Sequence, residues 1–249
     1  MERRALGTLL LLLAAALADG EKKKEAKPAA PLFRHVLFIG NSYTSSHDLP
    51  KMVEGMAKVA GLPVQLRVEA DVTNGATLED HWGAPSARDR IRERQWDFVV
   101  LQEQSLRPLK NPDRMEKYAR LLDAEIRKRG AKTVLFLTWA PEEGPHAQQE
   151  LNRAYYRIAD KLKALVVPVG PAWARVRKER SMLKLYTYDG SHPSPAGTYL
   201  AACVFYAVLT GRSPVGLPAK VAYRDDALVE LKPAVANYLQ KTAWKTAIS

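Results

Sequence analysis

An aspartate and a histidine three positions apart, in Tyr188-Asp189-Gly190-Ser191-His192-Pro193, are the residues of this chain best spaced to do chemistry together. In a turn, that spacing lets the carboxylate reach one ring nitrogen and leaves the other for a partner. The partner such a pair serves is a hydroxyl that becomes a nucleophile by losing its proton. A candidate hydroxyl lies upstream in Phe38-Ile39-Gly40-Asn41-Ser42-Tyr43-Thr44, where an apolar run ends at a glycine that permits a sharp turn. Taken alone, Asn41-Ser42 fits a helix cap as well as a nucleophile, and Asp189 fits a support of its own turn as well as a partner of His192. Gln102-Glu103-Gln104-Ser105 places polar side chains directly after another apolar run, and Thr73-Asn74-Gly75-Ala76-Thr77 offers a glycine N–H. A hydroxyl, a base, an orienting carboxylate and donors for a developing oxyanion are together what nucleophilic acyl chemistry requires.

These residues need a scaffold that brings distant loops to one place. Val36–Ile39, Phe98–Leu101, Val134–Leu137 and Val166–Val169 are short apolar runs of the kind buried on both faces of a parallel sheet. Val64, Leu66 and Val68 alternate with polar residues, as an edge strand does. Helical spacing of apolar residues marks Pro50–Ala60, Pro112–Arg129 with Gly130 as its stop, Gln148–Leu165, and Pro195–Leu209 ending at Gly211; a final helix falls within Asp225–Ala247. The alternation predicts an α/β fold: a three-layer α/β/α sandwich on a flavodoxin-like parallel sheet of about five strands, with the second strand at an edge. In such sheets ligands bind beyond the carboxyl ends of the strands, where all four segments above lie.

Composition narrows the partners. The chain has 249 residues and one Cys, which excludes a disulfide framework or a Cys-rich zinc site. The formal net charge is +11, of which residues 32–249 keep +9. An anionic partner such as nucleic acid is the first reading of that excess. The cations, however, spread over Arg88/Arg92, Arg114/Lys117/Arg120, Arg153/Arg157/Lys161 and Arg175/Arg177/Lys178, interleaved with Asp89, Glu93, Glu116, Asp123 and Asp160. That is the pattern of solvated helix faces, so no nucleic acid is expected, and acidic polysaccharide or envelope surfaces are the better electrostatic match. No phosphate-binding glycine motif is present. His35, His47, His81 and His146 are too scattered for a metal site, and Cys203 sits in an apolar helical pattern that reads as core.

The first residues read as an export signal: Glu2-Arg3-Arg4, then the uncharged run Ala5–Ala18 ending in Ala16-Leu17-Ala18. This predicts a cleavable signal peptide over 1–18, a disordered linker over 19–31 and one catalytic domain over 32–249. The protein is then secreted or periplasmic, with no membrane span in its mature form. The oligomeric state is left open.

From about Phe33 to Gly211 the chain resembles the SGNH/GDSL hydrolase superfamily, with the block order kept. Phe38-Ile39-Gly40-Asn41-Ser42 is similar to its first block, Asp189-Gly190-Ser191-His192-Pro193 to its last, and Gly75 falls at its second-block glycine. The third block of the family reads Gly-x-Asn-Asp. Here Gln104 takes the Asn place within Gln102-Glu103-Gln104-Ser105, as in a poorly characterised subgroup with Gln there. The resemblance implies a serine esterase with Ser42 as nucleophile, His192 as base and Asp189 as its orienting carboxylate. It also implies an oxyanion hole of the Ser42 and Gly75 N–H groups with the Gln104 amide, and neither cofactor nor metal. The expected substrate is a small-molecule or polysaccharide acyl ester, O-acetyl carbohydrate foremost. An esterase for lipids or thioesters and a non-catalytic glycan-binding module are the alternatives. Asn41, Tyr43, His81, Trp82, Trp139 and Tyr188 are expected near the substrate; for His81 and the three last aromatics, core packing is the competing role.

Overall fold

Five apolar runs pair into one parallel sheet in the computed structural model, which describes residues 32–224 and 226–249. The export signal and linker expected over 1–31 lie outside the described residues. The strands are β1 (Leu32–Gly40), β2 (Val64–Val72), β3 (Phe98–Leu101), β4 (Lys132–Leu137) and β5 (Leu165–Pro168). Their order is β2-β1-β3-β4-β5, the flavodoxin-like order with β2 at the edge. β1 is longer than its apolar run because β2 pairs along all of it, from Leu32↔Val64 to Gly40↔Val72. Its exposed first residues carry no apolar signal of their own.

Among the described residues ten α-helices surround this sheet: α1 (Ser42–Ser45), α2 (Leu49–Val59), α3 (Leu78–Gly83), α4 (Pro85–Glu93), α5 (Arg107–Lys110), α6 (Pro112–Lys128), α7 (Gln148–Leu162), α8 (Val169–Glu179), α9 (Pro195–Thr210) and α10 (Pro233–Ala247). Alternation along the strands feeds two cores. Val36, Phe38, Val100, Val134 and Phe136 pack with α2, α8, α9 and α10 on one face. Leu37, Ile39, Val99, Leu101, Leu135 and Leu137 pack with α3, α4, α6 and α7 on the other. The layers are therefore α/β/α. α9 is apolar on nearly every side because it is covered on nearly every side, and Cys203 is fully buried in it. No helix among the described residues is long and apolar enough to cross a membrane.

The sequence reading did not delimit α1, α3, α4, α5 or α8, and two further features depart from it. The last strand stops at Pro168, and Val169 opens α8 instead of closing the strand. An antiparallel hairpin, β6 (Lys220–Tyr223) with β7 (Asp226–Glu230), precedes α10. It covers one flank of the first core through Val221 and Val229. Its strands are too short, and only half apolar, to stand out from loop sequence. Several helix cations are committed to ion pairs, among them Arg92–Glu125, Arg127–Asp123 and Lys161–Glu116. In each the cation reaches solvent while the carboxylate is largely covered.

Candidate active site

The carboxyl end of β1 turns directly into α1, and the turn is possible only with glycine at its start. A Cβ on Gly40 would stand 2.5 Å from Thr44 Oγ1 and 2.6 Å from Gln102 Oε1. That closeness has a purpose. Gln102 is fully buried, and its Oε1 accepts from Asn41 N and Thr44 Oγ1, both at 2.9 Å. Its Nε2 donates to Asn41 Oδ1 (2.9 Å) and Glu103 O (2.6 Å). Asn41 Oδ1 also caps α1 by accepting from Tyr43 N, and Asn41 Nδ2 donates to Ala76 O at 2.9 Å. Every polar atom of this buried Gln–Asn pair is thus satisfied, as burial demands. The pair ties together the loops after β1, β2 and β3.

Downstream, Tyr186 and Pro193 form an isolated bridge around the turn that carries Asp189 and His192. Gly190 takes a left-handed φ of 64°, which a side chain would strain. The Asp189 carboxylate organises the turn from within. Its Oδ1 accepts from Ser191 N and His192 N, each at 2.9 Å, and its Oδ2 meets His192 Nδ1 at 2.5 Å. The bond from His192, with the two backbone N–H groups behind it, holds the carboxyl well below the usual carboxylate range. Asp189 is therefore ionised at any pH at which the protein works. The other ring nitrogen, His192 Nε2, lies 2.8 Å from Ser42 Oγ. Three residues that the sequence separates by up to 150 positions so form one chain, Ser42–His192–Asp189. The His192 side chain remains 41% exposed, so the chain is open to solvent.

The remaining expected site residues fare differently. Gly75 lies exposed in the loop after β2 with φ 72° and open space where a Cβ would be. The Gln104 side chain folds back over its own turn: Oε1 accepts from Leu106 N and Arg107 N, and Nε2 donates one hydrogen bond to Ser105 Oγ. The amide expected as an oxyanion donor is thus also engaged with its own turn, because the longer side chain reaches the backbone N–H groups that follow it. Four cleft contacts are corrected to interior ones. Asn41 is spent on the polar hub above. His81 is buried, with Nε2 on Gly40 O at 2.8 Å. Trp139 is fully buried, and Tyr43 is 3% exposed and stacked on it. Trp82 is half-buried against the second core with Arg88 over its ring. Tyr188 alone of the six stands free in solvent.

Sequence reasoning gave Gln102 and Glu103 no role of their own. Glu103 is 1% exposed, and its Oε1 accepts from Gln104 N (2.7 Å) and Leu78 N (3.2 Å), joining the β3 loop to the start of α3. Desolvation pushes its carboxyl from 4.5 up to about 7, against the pull of those two N–H groups and Arg107. An acid with a raised folded pKa favours the fold below its unfolded pKa, and that contribution is lost as pH rises through the folded one. Wild-type protein should therefore lose about 3 kcal/mol from this group between pH 4 and 8, while Glu103→Gln, which keeps the acceptor, should not. Urea unfolding across that range checks this; a stability gap between the two proteins that fails to widen with pH refutes it. The only sequence signal for such residues is polar side chains set directly behind an apolar strand.

No family model and no curated protein matches the sequence. Solved structures do. A protein from Slackia heliotrinireducens assigned to the SGNH hydrolases superposes with a TM-score of 0.60 at 28% identity, covering 71% of this chain and 98% of that one. A DUF4886 family protein from Bacteroides uniformis gives a TM-score of 0.72 at 18% identity over 87% of this chain and 95% of its own. A catalytic mutant of an acetylxylan esterase from Geobacillus stearothermophilus gives 0.58 at 19%, over 71% and 94%. The latter two likenesses are of fold alone. In strand order, block order and a likeness that spans nearly the whole of the 28%-identical neighbour, the chain is similar to the SGNH/GDSL hydrolases.

Proposed function

We propose that the protein is an exported serine esterase that removes O-acetyl groups from carbohydrate. The observation that carries this reading is the unbroken hydrogen-bonded chain from Ser42 Oγ through His192 to Asp189, at 2.8 and 2.5 Å. In the first step His192 Nε2 takes the Ser42 proton as Oγ attacks the acyl carbon. Asp189 orients the imidazole and stabilises its protonated form. The N–H groups of Ser42 and Gly75 and the second amide hydrogen of Gln104 stabilise the oxyanion; losing one such donor typically costs about 3 kcal/mol. His192 then returns its proton to the departing alcohol. In the second step it activates a water that releases the acid from Ser42.

The substrate class rests on three supports. The triad lies open, so a bulky alcohol part can stay in solvent while a small acyl group enters. Tyr188, fully exposed and next to Asp189, offers a ring on which a sugar can stack. Acetylxylan esterases are among the structural neighbours. Export rests on the basic start, apolar run and Ala-Leu-Ala of the first 18 residues. The test is a fluorophosphonate probe together with acetate release from a panel of acetylated glycans. Wild type should label and release acetate, Ser42→Ala should do neither, and long-chain acyl esters should be poor substrates. Glycan binding without labelling or turnover overturns the reading in favour of a binding module.

A further inference from the structure

The base of the proposed triad sits on an exposed turn, whereas its nucleophile sits at the rigid end of a central strand. Something must hold the two in register, and the residue that does so is Ser191. Its carbonyl accepts from the indole Nε1 of Trp139 at 3.0 Å. Its hydroxyl meets the phenol of Tyr43 at 2.6 Å. Trp139 and Tyr43 are the interior aromatics of the site, stacked at 4.7 Å and 10° between ring planes, and Trp139 stacks in turn on Trp173 at 3.9 Å and 9°. The Tyr43 ring also meets the His192 imidazole edge-on at 5.6 Å. Burial pushes the Tyr43 phenol up, so it stays protonated.

Tyr43 follows the nucleophile and Ser191 precedes the base. Two peptide links and two hydrogen bonds therefore close a small ring: Ser42 to Tyr43, Tyr43 Oη to Ser191 Oγ, Ser191 to His192, and His192 Nε2 to Ser42 Oγ. We propose that Tyr43 and Trp139 are positioning residues that lock the His192 turn against Ser42 through Ser191. The assignment rests on the esterase reading above. It explains why two buried aromatics at this spot carry polar tips rather than plain rings: both tips end on one loop residue.

The experiment compares wild type, Tyr43→Phe, Ser191→Ala, the double variant and Ser191→Thr in 4-nitrophenyl acetate turnover and in rate of fluorophosphonate labelling. Thermal unfolding is followed alongside. Tyr43→Phe keeps the stacked ring and removes only the hydroxyl. Loss of register should lower kcat and labelling rate by about 10- to 100-fold, with KM within about twofold of wild type. Because both single changes break the same bond, the double variant should be no slower than either. Ser191→Thr, which keeps the hydroxyl, should recover most of the rate. A purely structural role would lower the unfolding temperature and leave kcat of the folded protein alone; that result, or losses that add in the double variant, overturns the assignment. Wild type that neither labels nor turns over overturns the esterase reading itself, and this assignment with it.

Discussion

Ser42→Ala is expected to lower kcat for an acetyl ester by about 10⁶-fold, and His192→Ala to cost as much, because on the proposed mechanism each removes the same proton-coupled attack. The double variant is no worse than either single one. The geometry gives the reason: Ser42 Oγ has His192 Nε2 at 2.8 Å as its base, and that nitrogen is poised only because Asp189 occupies the other side of the ring. A hydroxyl without its base is a weak nucleophile at neutral pH, and a base without its hydroxyl has nothing to deprotonate. Some rate above water persists in all three variants, on the order of 10³-fold, from oxyanion donors and binding that the substitutions leave intact. Single-turnover acetate release from purified variants measures this. Additive losses, with the double variant slower than either single one by their product, show that the two residues do not act as a unit.

Gly197→Ala is expected to damage the fold heavily for a change of one methyl group. Gly197 lies in the first turn of α9, where a Cβ would stand 2.3 Å from Leu185 O and 2.4 Å from the Trp173 ring. Neither neighbour is free to yield. The Leu185 carbonyl already accepts from Ser194 N at 2.8 Å, and the Trp173 ring is stacked against Trp139. Overpacking against rigid partners costs about 3 kcal/mol or more. In a domain of this size that lowers the unfolding temperature by roughly 10 °C. Gly83→Ala is the matching control: it lies at the end of α3 with open space around it, and should be neutral or stabilising by about 0.5–1 kcal/mol. Thermal unfolding of the two variants checks both; equal midpoints refute the steric argument. Because Trp173 backs the stack that ends on Ser191, Gly197→Ala is also expected to slow labelling of Ser42 in the protein that remains folded.

The elements of the candidate site were legible in the sequence because they sit where the chain changes character. Phe38-Ile39 gives way to Gly40-Asn41-Ser42, and a turn rich in Gly and Ser holds Asp189 and His192 three residues apart. Such boundaries are local, and backbone sterics and hydrogen-bond range fix what they can do. The sheet was legible for a similar reason: a strand buried on both faces has to be apolar at every position, so Phe98–Leu101 and Val134–Leu137 announce themselves. The long helices α2, α6, α7 and α9 were read to within a few residues at their ends, since an amphipathic period is set by the helix itself, whereas the short α1, α3, α4 and α5, and α8, were not delimited.

What the sequence left open are matters of long-range packing. An aromatic residue after a strand reads equally as a sugar platform or as core, and only the tertiary structure decides it. Trp139 went inside because α8 brings Trp173 against it, and Tyr188 went outside because its turn projects into solvent. The hairpin β6–β7 was illegible because each strand is stable only against the flank of a core built elsewhere. Glu103 reads as an ordinary loop acid until the start of α3 closes over it and takes away its water. By itself, then, the sequence determined which groups are available and on which strand ends they sit, because those follow from local periodicity and turn chemistry. Only the tertiary structure decided which distant groups meet. The coupling of Tyr43 to Ser191 across 148 positions comes from the stacking of three layers, and no local rule encodes it.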